Sequence, residues 1–438
     1  ALDEGSAPPD DTVAVLQAAG VEVLVGPAAV LPDATDLLVK SPGVPDESPA
    51  VRAAVRRGVP LWSEVELACR VLPNPVVGIT GTNGKTTTTE LTGAILRRAG
   101  RAVAVGGNVG HALAAMPGEV PPEAAVVAEL SSFQLEHIER FRPAVAVLLN
   151  LAEDHIDRHG TYRAYADAKL RVFENQTGED VALLCADDRG VLDEAAAGRL
   201  TGAARRGWFS GEPGRREGPA GEGLVAGVDA DGLLWVLRDG RVRGLCRRDA
   251  LALRGDHNVL NSLAAAAAAC AAGAPVAAAA ETLRTFAGVP HRLQVAGVVG
   301  GVTYVNDSKA TNVAATLKAL TAYAGGVHLV LGGYDKGAAF GELAAATEGR
   351  VRRALLIGAT AERLAAAFAA RAETVGARAT PYVVCGDLGS AVRTAAASAR
   401  AGEVVLLSPA CASWDQYRDY EQRGEHFLEL VRELRAKG

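Results

Sequence analysis

The stretch GTNGKTTTT, Gly81 to Thr89, places the strongest constraint on the fold, because it directly follows the apolar run Val76–Ile79. A buried strand that leads into a Gly-Lys-Thr turn and then a helix is a common way of holding a triphosphate. In such a turn, backbone N–H groups and the helix N-terminus surround the phosphate oxygens. Gly81 and Gly84 would permit the tight backbone, and Lys85 would reach the β- and γ-phosphates.

The loop is shorter than the general GxxxxGK[ST] pattern, since only two residues separate its glycines, so the string alone is moderately specific. An ordinary glycine-rich loop is the alternative. The preceding strand and the following helix favour phosphate binding, and Thr86 would then bind magnesium.

Two further strand ends can complete a metal site. Glu129 ends the apolar strand in AELSSFQLE, and His155 follows another strand in NLAEDHIDRH. In a parallel sheet both ends lie beside the phosphate loop. A lone strand-end Glu is more often a cap or a solvated residue. Because Mg²⁺ takes oxygen ligands and few protein carboxylates, the neighbouring phosphate loop favours a metal ligand.

Composition excludes several classes of protein. A length of 438 residues predicts two to four domains. The net charge of −6 gives no general attraction to nucleic acid. The sequence has no strongly apolar run long enough for a membrane span, and its N-terminus does not read as a signal peptide. The six cysteines have neither disulfide-framework nor zinc spacing, so we expect a cytoplasmic protein without membrane partners.

Helix and strand signals alternate along the chain, which predicts an α/β fold with mostly parallel sheets. Residues 211–248 break this rhythm and predict short antiparallel strands with turns at Asp231-Gly232 and Asp239-Gly240. Other predicted strands are 21–25, 37–39, 76–80, 102–105, 125–130, 145–149, 181–185, 233–237, 304–305, 327–331, 353–357, 381–384 and 403–407, and predicted helices are 11–19, 48–57 and 258–271. Ser48 is the predicted N-cap of the second of these helices.

A series of motifs occurs in the order typical of one family. These are GTNGKTT, GGNVG, ELSSFQLE, NLAEDHIDRH, AKLRVFENQ, GDHNVLNSLAA, GVPHRLQ, NDSKATN, LGGYDKG and LLSPACASWDQY. The chain resembles the Mur ligases from Leu37 onward. The phosphate loop is shared by related ligases, whereas NDSKATN and SPACASWDQ resemble the member that adds D-glutamate.

The resemblance implies three domains. Residues 1–64 would form a Rossmann-like domain that binds the UDP-linked substrate, 65–290 a central ATP-binding domain, and 291–438 a Rossmann-like domain that binds D-glutamate. The family's first βα unit, which cradles UDP, is expected before Ala1, so the N-terminal domain is expected to be incomplete. The implied activity is ATP-dependent addition of D-glutamate to UDP-N-acetylmuramoyl-L-alanine through an acyl phosphate, in peptidoglycan precursor synthesis, by a monomer.

The resemblance also implies how ATP and two Mg²⁺ ions are held. Lys169 in AKLR would be carbamylated by CO₂, although its spacing alone favours a solvated helix lysine. The implied catalytic residues are Lys85, His155 and Lys169, and the metal ligands are Thr86, Glu129, His155 and Lys169. The implied ATP contacts are Gly81, Thr82, Asn83, Gly84, Lys85, Thr86, Thr87, Asn258, Asn261, Arg292, Asp307 and Lys309.

Substrate contacts follow from the same resemblance. D-Glutamate would bind Thr311, Lys336, Ser413, Trp414 and Tyr420, and the UDP-linked substrate Ser41, Pro42, Gly43, Asn108 and Ser131. Trp414 and Tyr420 stand where relatives often carry Leu and Phe, and both could instead fill core. Asp307 and Lys309 could form a surface ion pair.

Three other classes of protein are open at this point. A neighbouring ligase, either a later Mur step or folylpolyglutamate synthase, would carry other strings in place of NDSKATN. A nucleotide-regulated binding module would need the phosphate loop but not Glu129, His155 and Lys169 together. A P-loop motor or GTPase switch would be expected to show a partner-facing basic or coiled segment.

Overall fold

The computed structural model describes residues 1–3, 10–26, 30–108, 110–253, 255–334 and 337–437. The chain divides into two compact units, Ala1–Phe286 and Ala287–Gly438. The predicted domain boundary at 290/291 falls close to this division. The predicted boundary at 64/65 lies inside the first unit, and both boundaries stay predictions.

The N-terminal part of the first unit contains two small parallel strand pairs. Its elements are β1 (Leu2–Asp3), α1 (Asp10–Ala18), β2 (Leu24–Val25), β3 (Leu38–Lys40), α2 (Pro49–Arg57), β4 (Leu61–Ser63) and α3 (Glu64–Val71). Strand β1 pairs with β2, and β3 pairs with β4. Ser48 is confirmed as the N-cap of α2, since its hydroxyl accepts a hydrogen bond from the Val51 N–H.

The rest of the first unit surrounds a large sheet, which has nine strands in the described part of the chain. Its elements are β5 (Val76–Thr80), α4 (Lys85–Arg98), β6 (Val103–Gly107), β7 (Ala125–Glu129), α5 (Ser132–Leu135), β8 (Val145–Leu148), α6 (Ile156–His159), α7 (Tyr162–Leu170), β9 (Val181–Cys185), α8 (Arg189–Ala196), β10 (Arg205–Pro213), β11 (Leu224–Val228), β12 (Leu233–Arg238), β13 (Arg241–Arg247), α9 (Asp256–Ala271) and α10 (Val276–Thr285). The strand order is β13-β12-β11-β10-β9-β8-β5-β7-β6.

The neighbouring strands in the part β11-β10-β9-β8-β5-β7-β6 of this order are all parallel, which confirms the predicted α/β fold. Strand β12 pairs antiparallel with both β11 and β13, as predicted for this region. Asp239 and Gly240 join β12 to β13 with φ angles of 51° and 69°. A type I′ turn needs positive φ at both central residues, which is why this Asp-Gly pair makes a hairpin.

Both faces of the large sheet are covered, so strands such as β5 and β7 are buried along their whole length. One face packs on α4 and the alanine-rich α9, and the other on the segments around Leu135 and Ala166. Alanine side chains let α9 lie close to the sheet. Burial on both faces explains why these strands read as continuous apolar runs.

The second unit contains a sheet that has six strands in the described residues, in the order β14-β15-β19-β16-β17-β18. Its elements are β14 (Gln294–Val299), β15 (Val302–Asn306), α11 (Val313–Leu320), β16 (Val327–Gly332), α12 (Gly341–Ala346), β17 (Val351–Ile357), α13 (Ala361–Val375), β18 (Tyr382–Gly386), α14 (Leu388–Ser398), β19 (Val404–Leu407) and α15 (Tyr420–Lys437). All its pairs are parallel except the β14–β15 hairpin.

Strand β14 was not predicted, because its sequence is interrupted by Gly297 and two of its valines are largely exposed. Helix α9 starts at Asp256, two residues before the predicted start, and β2 keeps only the last two residues of the predicted strand 21–25. In the described residues, no helix combines the length and apolar character needed to cross a membrane.

Candidate active site

The phosphate loop joins β5 to α4, as predicted. Gly81 has φ of 149° and Gly84, the N-cap of α4, has φ of 84°. A side chain at Gly84 would also collide with the carboxamide oxygen of Asn261. Both the backbone angle and the lack of space therefore require glycine here.

Lys85 folds back over the loop. Its Nζ donates hydrogen bonds of 2.8 Å to the carbonyls of Gly81 and Thr82. The side chain is half-buried. The ammonium is thus held over the loop where a phosphate would be bound.

Asn150, which follows the β8 strand, braces the loop from the side. Its carboxamide accepts a hydrogen bond from the Asn83 N–H at 2.7 Å and donates to the Asn83 carbonyl at 3.0 Å. Its own carbonyl accepts from the Thr82 N–H at 3.0 Å. Sequence reasoning missed this residue, although its place after a strand beside the phosphate loop was a usable signal.

Glu129 lies at the end of β7, where it is in register with Ile79 of β5. Its side chain is 3% exposed, and Oε1 accepts a hydrogen bond from Asn108 Nδ2 at 2.9 Å. Oε2 is buried and has no hydrogen-bond partner among the described residues. A buried carboxylate oxygen without a partner is costly unless it meets a cation, so the residues present fit a magnesium ion.

Lys169 is brought to the same place from α7. Its side chain is buried, and Nζ donates to the Gly81 carbonyl at 2.9 Å and lies 4.8 Å from the centre of the Tyr165 ring. Burial, followed by repulsion from Lys85, lowers the pKa of Lys169 to about 7. The alternative of a solvated helix lysine is therefore wrong.

The segment after β8 adds a cluster of rings. His155 has φ of 51° and an exposed side chain, and its ring centre lies 4.9 Å from that of Phe133. The Tyr165 hydroxyl bonds to the Thr82 hydroxyl at 2.8 Å. Thr86, in the first turn of α4, is buried. That Thr86 and His155 bind one magnesium site together with Glu129 stays a prediction.

Asn258 and Asn261 lie on one face of α9, as predicted, because Asn261 Nδ2 donates to Asn258 Oδ1 at 3.1 Å. Asn261 is buried against Gly84, and its Oδ1 accepts a hydrogen bond from Thr88 at 3.4 Å. The structure therefore places Asn261 beneath the phosphate loop, where it supports the turn. A direct contact of either residue with ATP stays a prediction.

The residues predicted for the UDP-linked substrate fall in three segments of the first unit. Ser41, Pro42 and Gly43 form the turn after β3, Asn108 follows β6, and Ser131 caps α5. The Ser131 hydroxyl donates to Gln134 Oε1 at 3.0 Å and accepts from the Gln134 N–H at 3.3 Å. Ser131 and Asn108 therefore already form hydrogen bonds within the protein, Ser131 with Gln134 and Asn108 with Glu129.

In the second unit, Asp307 follows β15 and is 4% exposed, so the alternative of a surface ion pair with Lys309 is wrong for this carboxylate. It accepts hydrogen bonds from Ser408 Oγ at 2.8 Å and from the Leu293 N–H at 3.1 Å. Burial raises the pKa of Asp307 to about 6 despite these hydrogen bonds.

Of the other residues predicted for ATP and D-glutamate in this unit, Lys309 and Tyr420 lie near each other. Lys309 Nζ lies 5.6 Å from the centre of the ring of Tyr420, which is the first residue of α15. Thr311 lies two residues after Lys309 in the sequence. Arg292 is exposed. Ser413 is buried, and Lys336 lies outside the described residues.

Trp414 is 59% exposed, and its ring centre lies 5.6 Å from that of Tyr334. The alternative that Trp414 fills core is therefore wrong. An exposed aromatic pair on a loop is available to a ligand.

Arg423 was missed by sequence reasoning, because a lone arginine in EQRGEHF is typical of a solvated helix. It is 1% exposed, and its guanidinium donates to the carbonyls of Ser308, Cys411 and Ala412 at 2.9–3.2 Å. Arg423 thereby ties the NDSKATN turn to the loop that carries Ser413.

Asp307→Asn is expected to stabilise the ligand-free protein at neutral pH. Burial raises the pKa of the folded Asp307 carboxyl to about 6 from its ordinary value of 3.8, so the charged carboxylate penalises folding above pH 6 and not below about pH 4. We expect a gain of about 1–3 kcal/mol in unfolding free energy at pH 7.5 that disappears near pH 4. Denaturant unfolding followed by fluorescence measures this.

The control for this prediction is Asp387→Asn. Asp387 caps α14, and the Ser390 N–H lowers its pKa, so its stabilising effect is present at neutral pH and lost on acidification. The control should therefore change stability with the opposite sign. Equal effects of the two variants would contradict the argument for Asp307.

Comparison with known proteins identifies the family of the chain. Residues 79–205 match the family described as the Mur ligase middle domain, and residues 291–411 match the Mur ligase, glutamate ligase domain. The chain therefore belongs to the Mur ligase family.

Two relatives carry one specific name, "UDP-N-acetylmuramoylalanine--D-glutamate ligase". The protein from Pelotomaculum thermopropionicum is 43% identical, over 98% of this chain and 90% of its own. The protein from Anaeromyxobacter dehalogenans is 45% identical, over 91% of this chain and 84% of its own. The crystal structure of UDP-N-acetylmuramate-alanine ligase from Thermotoga maritima has a TM-score of 0.52 at 19% identity, covers 97% of this chain and 92% of that chain, and shows a similar fold.

Proposed function

We propose that the chain joins D-glutamate to UDP-N-acetylmuramoyl-L-alanine with consumption of ATP, in peptidoglycan precursor synthesis. The relatives at 43–45% identity are named for this ligation. The structural observation that carries the proposal is the buried Oε2 of Glu129, which has no hydrogen-bond partner within the part of the chain that the structure describes. Glu129 lies on the same sheet edge as the phosphate loop, and Lys169 donates to the Gly81 carbonyl of that loop. Such a site calls for a cation beside a phosphate.

ATP would bind through the loop Gly81–Thr87, with Lys85 turning from the loop carbonyls to the phosphates. Asn258 and Asn261 from α9, and Arg292, Asp307 and Lys309 from the second unit, would complete the ATP site. The planar, permanently charged guanidinium of Arg292 suits a phosphate. Magnesium would be held by Thr86, Glu129, His155 and a carbamylated Lys169, and it would neutralise charge on the phosphates.

The reaction divides into two steps. The carboxylate of the UDP-linked substrate attacks the γ-phosphorus of ATP, the bond to the β-phosphate oxygen breaks, and ADP leaves. The D-glutamate amine then attacks the acyl phosphate, loses a proton and displaces inorganic phosphate. Phosphoryl transfer depends on positioned charge, which Lys85 supplies from this chain.

The two substrates would be recognised by different parts of the chain. Ser41, Pro42, Gly43, Asn108 and Ser131 would contact the UDP-linked substrate. D-Glutamate, a dicarboxylate, needs cation and hydroxyl donors, and Thr311, Lys336, Ser413, Trp414 and Tyr420 would form its site. We further propose that the chain works in the cytoplasm, where ATP and the UDP-linked precursor would be available. A monomer without nucleic-acid or membrane partners is also proposed, and the net charge of −6 gives no general attraction to nucleic acid.

Phosphate release with each of the three substrates omitted in turn tests the proposal. We expect phosphate only when UDP-N-acetylmuramoyl-L-alanine, ATP and D-glutamate are all present. A panel of other amino acids in place of D-glutamate distinguishes the neighbouring ligases. Turnover with meso-diaminopimelate or with folate and L-glutamate, and none with D-glutamate, would contradict the assignment.

A further inference from the structure

Glu136 ends the ELSSFQLE motif and has no role in the site described above. Its Oε2 accepts a hydrogen bond from Lys40 Nζ at 3.4 Å and lies 3.7 Å from Arg158 Nη2. Its Oε1 lies 3.4 Å from His159 Nδ1. The carboxylate is mostly buried and meets groups from two distant segments, one before the Ser41–Gly43 turn and one after His155.

Lys40 is the last residue of β3 and directly precedes Ser41. Its side chain is 1% exposed, and its ammonium also pairs with the carboxylate of Asp46. Asp46 in turn accepts a hydrogen bond from His137 Nε2 at 3.1 Å. Both ends of the 41–46 loop are thus tied to residues 136 and 137.

Arg158 ties the middle of the same loop. Its Nη2 donates to the Val44 carbonyl at 2.8 Å, and its guanidinium lies 4.6 Å from the centre of the Phe133 ring. Arg158 lies in α6, three residues after His155. Arg158 therefore connects the 41–46 loop and Glu136 to α6, the helix that directly follows His155.

Asp46, Glu136 and His137 have ligand atoms within 4.8 Å of one another, a spacing that a metal ion can use. The Lys40 ammonium, however, contacts both carboxylates of this group. The positive charges of Lys40 and Arg158 already pair with these two carboxylates, so the arrangement is an ion-pair network. Its members come from different segments, which makes it a connection between them.

We propose that Glu136 is a positioning residue that fixes the 41–46 loop against the segment bearing Ser131 and His155. The inference rests on the proposed function, in which that loop contacts the UDP-linked substrate. Removing the Glu136 charge leaves Lys40 with Asp46 alone and takes from Arg158 the carboxylate that it faces within the described residues, so the loop is expected to open more readily to solvent. Glu136 would thus control the affinity for the UDP-linked substrate without touching it.

Glu136→Gln tests this, with Glu139→Gln as the matched control. Glu139 lies three residues further on, is 53% exposed and pairs with Arg70 at 2.9 Å, away from the loop. Hydrogen exchange of the amides in residues 43–48 is measured on the full chain without ligands. We expect exchange about tenfold faster in Glu136→Gln and unchanged in Glu139→Gln. Equal exchange in the two variants would overturn the proposal.

Calorimetric binding separates positioning from general destabilisation. In Glu136→Gln the Kd of UDP-N-acetylmuramoyl-L-alanine should rise about tenfold while the Kd of ADP stays unchanged. Equal rises in both Kd values would overturn the positioning role. Failure of the wild-type protein to bind the UDP-linked substrate would instead reject the proposed function, and the exchange experiment would still decide whether Glu136 holds the loop.

Lys40→Met provides a second variant if Glu136→Gln does not fold. It removes the same ion pair from the loop side together with the Lys40–Asp46 pair, so it should give exchange at least as fast and a selective loss of UDP-substrate affinity at least as large. In the double variant the effects should be less than additive, because both substitutions break one connection. Fully additive effects of the two substitutions on exchange and on Kd would overturn the proposal that Glu136 holds the loop.

Discussion

Lys169→Ala is expected to lower turnover about a thousandfold. The Lys169 amine is buried against the Gly81 carbonyl, and burial and the Lys85 charge lower its pKa to about 7. A large share of the amine is therefore neutral at physiological pH and can attack CO₂, which converts a cation into a carbamate beside Glu129. Turnover of the wild type should fall in CO₂-depleted buffer, and short carboxylates such as acetate or formate should restore part of the activity of Lys169→Ala.

Lys318→Ala is the matched control, because Lys318 is an exposed lysine on α11 of the second unit. It should keep wild-type turnover and show no response to added carboxylates. A carbamate signal from ¹³C-bicarbonate, present in the wild type and lost in Lys169→Ala, gives a readout apart from activity. Equal wild-type rates with and without CO₂, together with no rescue of the variant, would contradict the carbamate.

Lys85→Ala is expected to reduce turnover by roughly a thousandfold and to weaken ATP binding, while the affinity for UDP-N-acetylmuramoyl-L-alanine stays near that of the wild type. Lys85 donates to two loop carbonyls and would release them to reach the phosphates. Loss of these hydrogen bonds should lower stability by only about 1–2 kcal/mol. Steady-state kinetics, calorimetry with ADP and thermal unfolding measure the three effects.

The same substitution should also alter Lys169. The positive charge of Lys85 lowers the pKa of Lys169, so Lys85→Ala should raise that pKa and shift CO₂-dependent activation to higher pH. Lys318→Ala again serves as the control. Near-normal turnover in a folded Lys85→Ala protein would reject the assignment of the phosphate loop.

Local features were predictable because neighbouring residues cause them. Strand β5 starts and ends where its apolar run predicts, and Gly81 and Gly84 take the positive φ values that only glycine adopts readily. Ser48 caps α2, and the Asp239-Gly240 turn closes the predicted hairpin, since a hydroxyl or an αL backbone acts within a few residues. The α/β class follows from the same local signals.

The candidate site was predictable where strand ends carry polar residues, as for Glu129. The burial of Lys169 and the exposure of Trp414 were not, because exposure depends on what the rest of the chain packs against. Lys169 lies 88 positions from the carbonyl of Gly81 to which it donates, and no local pattern encodes that distance. The exposure of Trp414 depends in the same way on how its loop lies against the second unit's sheet.

The sequence by itself thus determined the phosphate loop, the α/β order of elements and the motif set, all of which depend on short-range backbone and hydrogen-bond preferences. Three properties follow only from the folded chain: a buried Glu129 oxygen with no partner among the residues that the structure describes, the burial of Arg423 among carbonyls, and the position of Glu136 between Lys40 and Arg158. These properties depend on how far a polar group is desolvated and on its distance from charges in other segments, and both are defined only once the chain has folded.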